Sequence, residues 1–411
     1  MEAHERRALP EGWEWKGLGE ILELIRNGIS TKQNEEKEGY PVTRIETISK
    51  GKINREKIGY VREDYNIILK YKMISGDILF SHINSAEHIG KTAIFENELD
   101  ELYQGVNLLL LRPNKDIVFP KYLLFYLKEP EVRKYFETRC KKAVNQASLN
   151  QKDIIQIKIP LPPLPTQRRI VSILEKAEET KKLRAQADEL TERLLQSVFL
   201  EMFGDPAKNP KGWELKKAEE ICSKEKNAIK AGPFGSSLKK EIYVESGYKI
   251  YGQEQVISDD LTFGNYYISE EKYKDFENYK IQEGDILISL VGSYGKISIV
   301  PKGFEPGIIN PRLMKISLNK EIIHPIYFKN LFLSKAIVAQ VKNLSHGGTM
   351  DIINIGIVKQ LLFQVPPLPL QQKFARLVEK IEAMRQSQNQ SKQQIEDLFS
   401  ALMQKAFRGE I

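Results

Sequence analysis

Two stretches of the chain, residues 166–203 and 370–408, lack both proline and glycine, and their apolar side chains recur at helical spacing. In the later stretch Phe374, Leu377, Ile381, Met384, Gln388, Ser391, Ile395, Leu398 and Leu402 step alternately by three and four, a heptad seam with a polar middle. The earlier stretch sets Ile170, Ile173, Ala177, Thr180, Arg184, Ala187, Thr191, Leu194 and Val198 at the same spacing, again apolar at its ends. Each predicts an amphipathic helix of about 38 residues, roughly 57 Å long at 1.5 Å per residue. One small globule cannot cover a stripe of that length, so the two helices are expected to pack on each other as an antiparallel coiled coil.

Ahead of each helix lie about 150 residues of different texture, with short apolar runs bounded by Gly, Asn, Asp and Pro. Ile78–Phe80, Leu108–Leu111 and Ile286–Leu290 read as strands, while Lys121–Leu127 and the stretch from Tyr327 to Ala339 read as short helices opened by proline. A Pro-Pro-Leu-Pro hinge, at 162–165 and again at 366–369, interrupts the pattern, because proline restricts itself and its predecessor.

The same order occurs twice because the chain is an internal duplication. Pro10, Gly12, Trp13 and Glu14 recur as Pro210, Gly212, Trp213 and Glu214, 200 residues on. Gly76-Asp-Ile-Leu recurs as Gly284-Asp-Ile-Leu, and Leu161-Pro-Pro-Leu-Pro-Thr-Gln167 as Val365-Pro-Pro-Leu-Pro-Leu-Gln371. The expected fold is α+β, with two homologous mixed α/β heads joined by two long antiparallel helices, pseudo-two-fold and nearly cyclic. Its parts are a first head, 1–160; a hinge and first long helix, 161–204; a second head, 205–364; and a hinge and second long helix, 365–411. Phe407 to Glu410 corresponds to Phe203 to Asp205, so the two ends of the chain are expected to be neighbours.

Composition removes several functions. No apolar run reaches the length of a membrane helix, and Met1–Trp15 hold no secretory h-region. The two cysteines, Cys140 and Cys222, form no C-x-x-C pair, which argues against a disulfide scaffold and a zinc site and fits a cytoplasmic protein. Five histidines, with His82 and His88 at the wrong spacing for a helical metal pair, supply no metal site. No nucleophile triad and no paired-carboxylate nuclease pattern stands out. The net charge of +7 is compatible with a polyanionic partner without demonstrating one.

Residues 85–92, ending Gly90-Lys91-Thr92, approach a phosphate-binding loop, and a nucleotide-binding enzyme is one alternative reading. Ser85 replaces the first glycine of that pattern, however, and in the second copy Ile297 replaces the threonine. A coiled-coil adaptor that binds only protein is the other alternative. For nucleic acid, loop-like stretches mix Lys and Arg with Ser, Thr, Asn, Gln and Tyr, the types that meet phosphates and base edges. In the first half these candidates are Thr31, Lys32, Arg44, Ser81, His82, Asn84, Lys91 and Lys141, with Arg139 and Lys142 beside them. In the second half they are Ser236, Ser237, Lys239, Gln253, Ser293, Tyr294, Lys296, Arg312 and His346. Their recurrence at matched places in both halves lifts the set above a scatter of surface residues.

The two Pro-Pro-Leu-Pro-x-Gln hinges with long helices behind them resemble the specificity subunit of type I restriction-modification systems. The Gly-Trp-Glu openings, the Gly-Asp-Ile-Leu strands, Gly232-Pro-Phe-Gly-Ser236 and Gly295-Lys296 resemble it too. The first half departs by lacking Gly-Pro-Phe-Gly. The resemblance implies a non-catalytic protein whose heads are target-recognition domains, each reading one half of a split double-stranded DNA site, with the helices setting the gap. It further implies two methyltransferase subunits around the helices, with restriction subunits joining them. S-adenosylmethionine, ATP and Mg would reside in those partners, and no cofactor in this chain.

Overall fold

The computed structural model describes residues 8–34, 36–85, 88–96, 101–143, 146–234, 237–290, 296–344 and 353–411. The chain divides into two compact units, residues 1–185 with 390–411 and residues 186–389. The long helices span Leu164–Phe203 and Leu368–Arg408, so each unit contains one head, the near half of one helix and the far half of the other.

In the first unit a four-stranded antiparallel sheet runs in the order Leu22–Asn27, Leu108–Pro113, Ile78–Ser81, Thr92–Ile94. The apolar runs are continuous because both faces of this sheet are covered. Ile78, Phe80, Leu109 and Leu111 join the large core under the helices Pro120–Lys128 and Pro130–Arg139, while Leu79, Leu108 and Leu110 face a smaller core. A three-stranded ribbon orders Ile83–Asn84, Gln146–Ser148 and Lys141–Ala143. Glu14–Gly17 pairs antiparallel with Lys158–Leu161, tying the entry of the head to its exit.

The second unit repeats this plan, with strands Ile229–Ala231, Leu313–Ile316, Ile286–Ser289 and Ile297–Ile299 in the same order and Glu214–Lys217 paired with Leu362–Val365. It adds a four-stranded sheet ordered Tyr243–Val244, Tyr267–Ile268, Tyr248–Tyr251, Gly307–Ile309. The stretch expected as one helix from Tyr327 to Ala339 is two, Pro325–Phe332 and Lys335–Leu344, separated at Leu333-Ser334.

The repeated motifs are joints. In both Gly-Asp-Ile-Leu runs the aspartate closes the preceding turn: Ile74 N–H donates to Asp77 Oδ2 at 2.8 Å, and Gln282 N–H donates to Asp285 Oδ2 at 2.9 Å. Asp77 also receives Arg112 through two bonds of 2.7 and 2.8 Å. The hinge glutamines are clamps. Gln167 Oε1 accepts Phe119 N–H at 2.7 Å, and its Nε2 donates to Ile117 O and Pro162 O. Gln371 does the same with His324 N–H, Ile322 O and Pro366 O.

Within each unit the helical halves run antiparallel. In the first, Ile170, Val171 and Leu174 pack with Met403, Ala406 and Phe407, and farther along Lys181 Nζ sits 4.6 Å from the Phe399 ring centroid. The Phe407 ring meets Tyr122 of the head at a tilt and Tyr126 edge-on, with centroids 5.3 and 5.1 Å apart. In the second, Phe374 meets Phe199 and Phe203 edge-on, Phe203 lies 4.6 Å from Tyr327, and Gln388 Nε2 donates to Thr191 Oγ1 at 3.0 Å. The seam differs from the expected one at alternate positions. Phe374, Ile381 and Gln388 face inward as expected, but Val378 rather than Leu377 is the buried neighbour, and Met384 and Leu398 are exposed. The first helix shows the same slip, with Leu174 buried ahead of Ile173, and Leu194 exposed.

The closing glycine of each helix stands against a Gly-Trp-Glu opening. Gly409, at φ +71°, abuts Pro10, and Gly204, at φ +81°, abuts Pro210; a Cβ on either would strike the proline ring. Pro10 and Gly409, close to the two ends of the sequence, are thus neighbours in the first unit. Among the described residues no helix is long and apolar enough to cross a membrane.

Candidate nucleic-acid interface

One end of the central sheet in the second unit gathers three loops: one leaves Ala231, one joins Ser289 to Ile297, and one arrives at Leu313. Gly232 N–H donates to Leu313 O at 2.8 Å, Ser289 N–H to Lys296 O at 3.0 Å, and Leu290 N–H to Arg312 O at 2.9 Å. Asn310 is the centre of this rim: its N–H donates to Tyr251 O at 2.8 Å, and its Oδ1 accepts Arg312 N–H at 2.9 Å. Its carbonyl comes so close to Gly232 that a Cβ would collide with it, which is why the loop opens with glycine.

This geometry brings Gln253, Lys296 and Arg312 to one rim, with Lys296 and Arg312 exposed and Gln253 half-buried. Ser237 and Lys239 are exposed a few residues beyond Gly232, and Ser237 N–H donates to Phe234 O at 2.8 Å. Ser236, Ser293, Tyr294 and His346 lie outside the described residues.

The first unit builds the same rim at the ends of Leu22–Asn27 and Ile78–Ser81 and the starts of Thr92–Ile94 and Leu108–Pro113. Gly28 approaches the carbonyl of Gly105 as Gly232 approaches that of Asn310. Ser81 N–H donates to Lys91 O at 2.8 Å, and Gly105 N–H donates to Thr43 Oγ1 at 2.9 Å. Arg44 is exposed and its Nε donates to Gln33 Oε1. Lys91 Nζ donates to Ser49 O at 3.1 Å, joining that loop to the segment after Arg44.

The candidates of this half differ in how they are presented. Lys32, Arg44 and Lys141 are exposed, as is Arg139, whose guanidinium lies 5.3 Å from the Tyr135 ring centroid. Thr31 is half-buried and donates to Glu63 at 2.6 Å. Asn84 donates to Ser81 Oγ at 3.0 Å, and its strand pairs with Gln146–Ser148 of the ribbon that holds Lys141. Ser81 and His82 are buried beneath the rim instead of standing on it. Burial pushes the His82 imidazole down to about 4, so it is neutral at pH 7.

Sequence reasoning marked the stretch 27–33 but not the close backbone approach of Gly28 within it, and it missed Gly105 and Asn107. Asn107, exposed at φ +67°, immediately precedes its strand as Arg312 does in the other half. The available signal was the repeat offset, which aligns Gly28 with Gly232.

Gly90-Lys91-Thr92 has the wrong setting for a phosphate loop. It runs into the strand Thr92–Ile94 and not into a helix N-terminus, Thr92 is buried, and the lysine is committed to Ser49 O. Among the described residues no group of three or more His, Cys, Asp or Glu side chains is placed to hold a metal ion.

A family model described as the type I restriction modification DNA specificity domain matches the chain twice, at residues 10–192 and 210–397. Over 411 residues the chain is 34% identical to the putative type I restriction enzyme MjaX specificity subunit of Methanocaldococcus jannaschii, covering 98% of this chain and 94% of the relative. It is 23% identical over 440 residues to the MjaVIII specificity subunit of the same organism, with 100% and 95% covered. Among solved structures, a chain from work on assembly and conformational transition of the type I R-M system aligns with TM-score 0.61 at 20% identity, covering 98% of this chain and all of the other. The type I restriction-modification S subunit from M. genitalium aligns with TM-score 0.57 at 15% identity, 98% of each chain covered. These two likenesses speak to the fold.

The chain belongs to the type I restriction modification DNA specificity family and is the DNA specificity subunit of such a system, the non-catalytic component, in a family that carries no cofactor of its own.

Proposed function

We propose that each head is a target-recognition domain, spanning 1–160 and 205–364, that reads one half of a bipartite double-stranded DNA site through its strand-end rim. The observation that carries this reading is the repetition of one rim in both heads, built on the same close glycine approach and furnished with different exposed polar and basic side chains. A common frame with different contents suits two half-sites of different sequence. Lys32, Arg44 and Lys141 in the first head, and Lys239, Lys296 and Arg312 in the second, are the groups through which phosphate and base contacts run.

In this reading the paired helices set the unread gap and seat two methyltransferase subunits, and restriction subunits complete the assembly in the cytoplasm. The partners supply S-adenosylmethionine, ATP and Mg chemistry. DNA affinity falls steeply with salt, because bound Lys and Arg side chains release counterions.

Exchange of residues 206–364 for the second head of another family member tests the assignment. With methyltransferase subunits present, only one half of the methylated sequence is expected to change. A change in both halves, or in neither, would refute independent heads.

A further inference from the structure

Among the described residues Phe234 is the most exposed large apolar side chain, with 87% of its surface open to solvent. Its backbone is nonetheless fixed. Gly232 is hydrogen-bonded to the central sheet through Leu313 O, Pro233 is buried with its φ restricted, and the Phe234 carbonyl accepts Ser237 N–H at 2.8 Å. The ring thus stands outward from an anchored backbone, forgoing the burial that stabilises aromatics such as Tyr251 and Phe328 of this head. Basic side chains outnumber acidic ones nearby, Glu241 being the exposed acid that follows Lys239 and Lys240. Lys296 and Arg312 stand exposed on the same rim, and Lys239 and Lys240 are exposed just along the chain.

An anchored apolar ring amid cations fits a polyanion whose interior is apolar, namely duplex DNA. We propose that Phe234 is a wedge that enters one base step of the half-site read by the second head, partly unstacking it while the neighbouring Lys and Arg hold the flanking phosphates. The inference deepens the recognition reading above and rests on it. It is also asymmetric. Two residues beyond Gly28, where the first head would carry its wedge, stands the exposed polar Ser30. Unstacking is therefore expected in one half-site only.

The test uses the full chain assembled with its methyltransferase subunits and a duplex carrying the site mapped by methylation. The fluorescent base 2-aminopurine is stepped through both half-sites. Binding should raise fluorescence at a step in one half-site. Phe234→Ala should abolish the rise and weaken binding roughly ten- to a hundredfold, the range of a lost base–aromatic contact. Phe234→Leu should retain much of both, and the thermal midpoint of either variant should be unchanged. Tight binding with no rise at any step, or an undiminished rise with Phe234→Ala, would overturn the wedge. So would a Phe234→Ala variant that loses its methyltransferase subunits while keeping DNA affinity, since the ring would then be a protein contact. Failure of the unaltered complex to bind any split site would instead refute the recognition reading beneath it.

Discussion

His82 sits at the end of the strand Ile78–Ser81, 7% exposed, with no hydrogen-bond partner for Nδ1 among the described residues. Burial holds its imidazole at about 4, against an ordinary 6.5. The unfolded chain takes up this proton as pH falls through 6.5, whereas the folded head refuses it until about 4. Protonation of this site therefore has no effect on stability above neutrality and removes stability as pH drops across that window. In the second head Leu290 follows Ser289 as His82 follows Ser81. His82→Leu should narrow the fall in thermal midpoint between pH 7 and pH 5, and an equal fall in both proteins would contradict the assignment. Residue type alone made Ser81 and His82 candidates for contact. Their enclosure depends on the pairing of Ile78–Ser81 with Leu108–Pro113, a long-range event that no local pattern reveals. Lys296 and Arg312 were legible because charge favours the surface. Asn310 was not, because its role lies in a backbone approach to Gly232 across the fold.

At the scale of elements, the hinge and helix were readable and their joint was not. Proline placed the start of each helix within a few residues, but the glutamine of the Pro-Pro-Leu-Pro-x-Gln motif showed only as a repeated letter. In the structure it satisfies three backbone groups of its own head and hinge in both copies. Removing it leaves buried donors and acceptors without partners, and Gln167→Ala is expected to cost about 2–4 kcal/mol. Denaturant unfolding of the full chain measures this, and a loss under about 0.5 kcal/mol would show that solvent or relaxation replaces the clamp. The seam slipped by one at alternate positions because Leu377 and Val378, like Ile173 and Leu174, are adjacent apolar residues. Spacing by three and four admits either of each pair, and only packing against the partner helix selects Val378 and Leu174.

For the molecule as a whole, duplication was the most legible feature, since matched motifs recur in order along the sequence. Antiparallel helices and neighbouring ends, both read from the repeat, agree with the two compact units, each of which holds the near half of one long helix and the far half of the other. Phe407 against Tyr122 and Phe203 against Tyr327 are the same joint made twice, the first supplied by the far end of the chain and the second by the helix that runs directly into its head. The most direct measurement is a map of methylated adenines in DNA exposed to the complex of this chain with methyltransferase subunits. Two short sequence blocks separated by a constant run of unspecified bases are expected. A single continuous motif, or a methylation pattern that stays the same when this chain is omitted, would contradict the account.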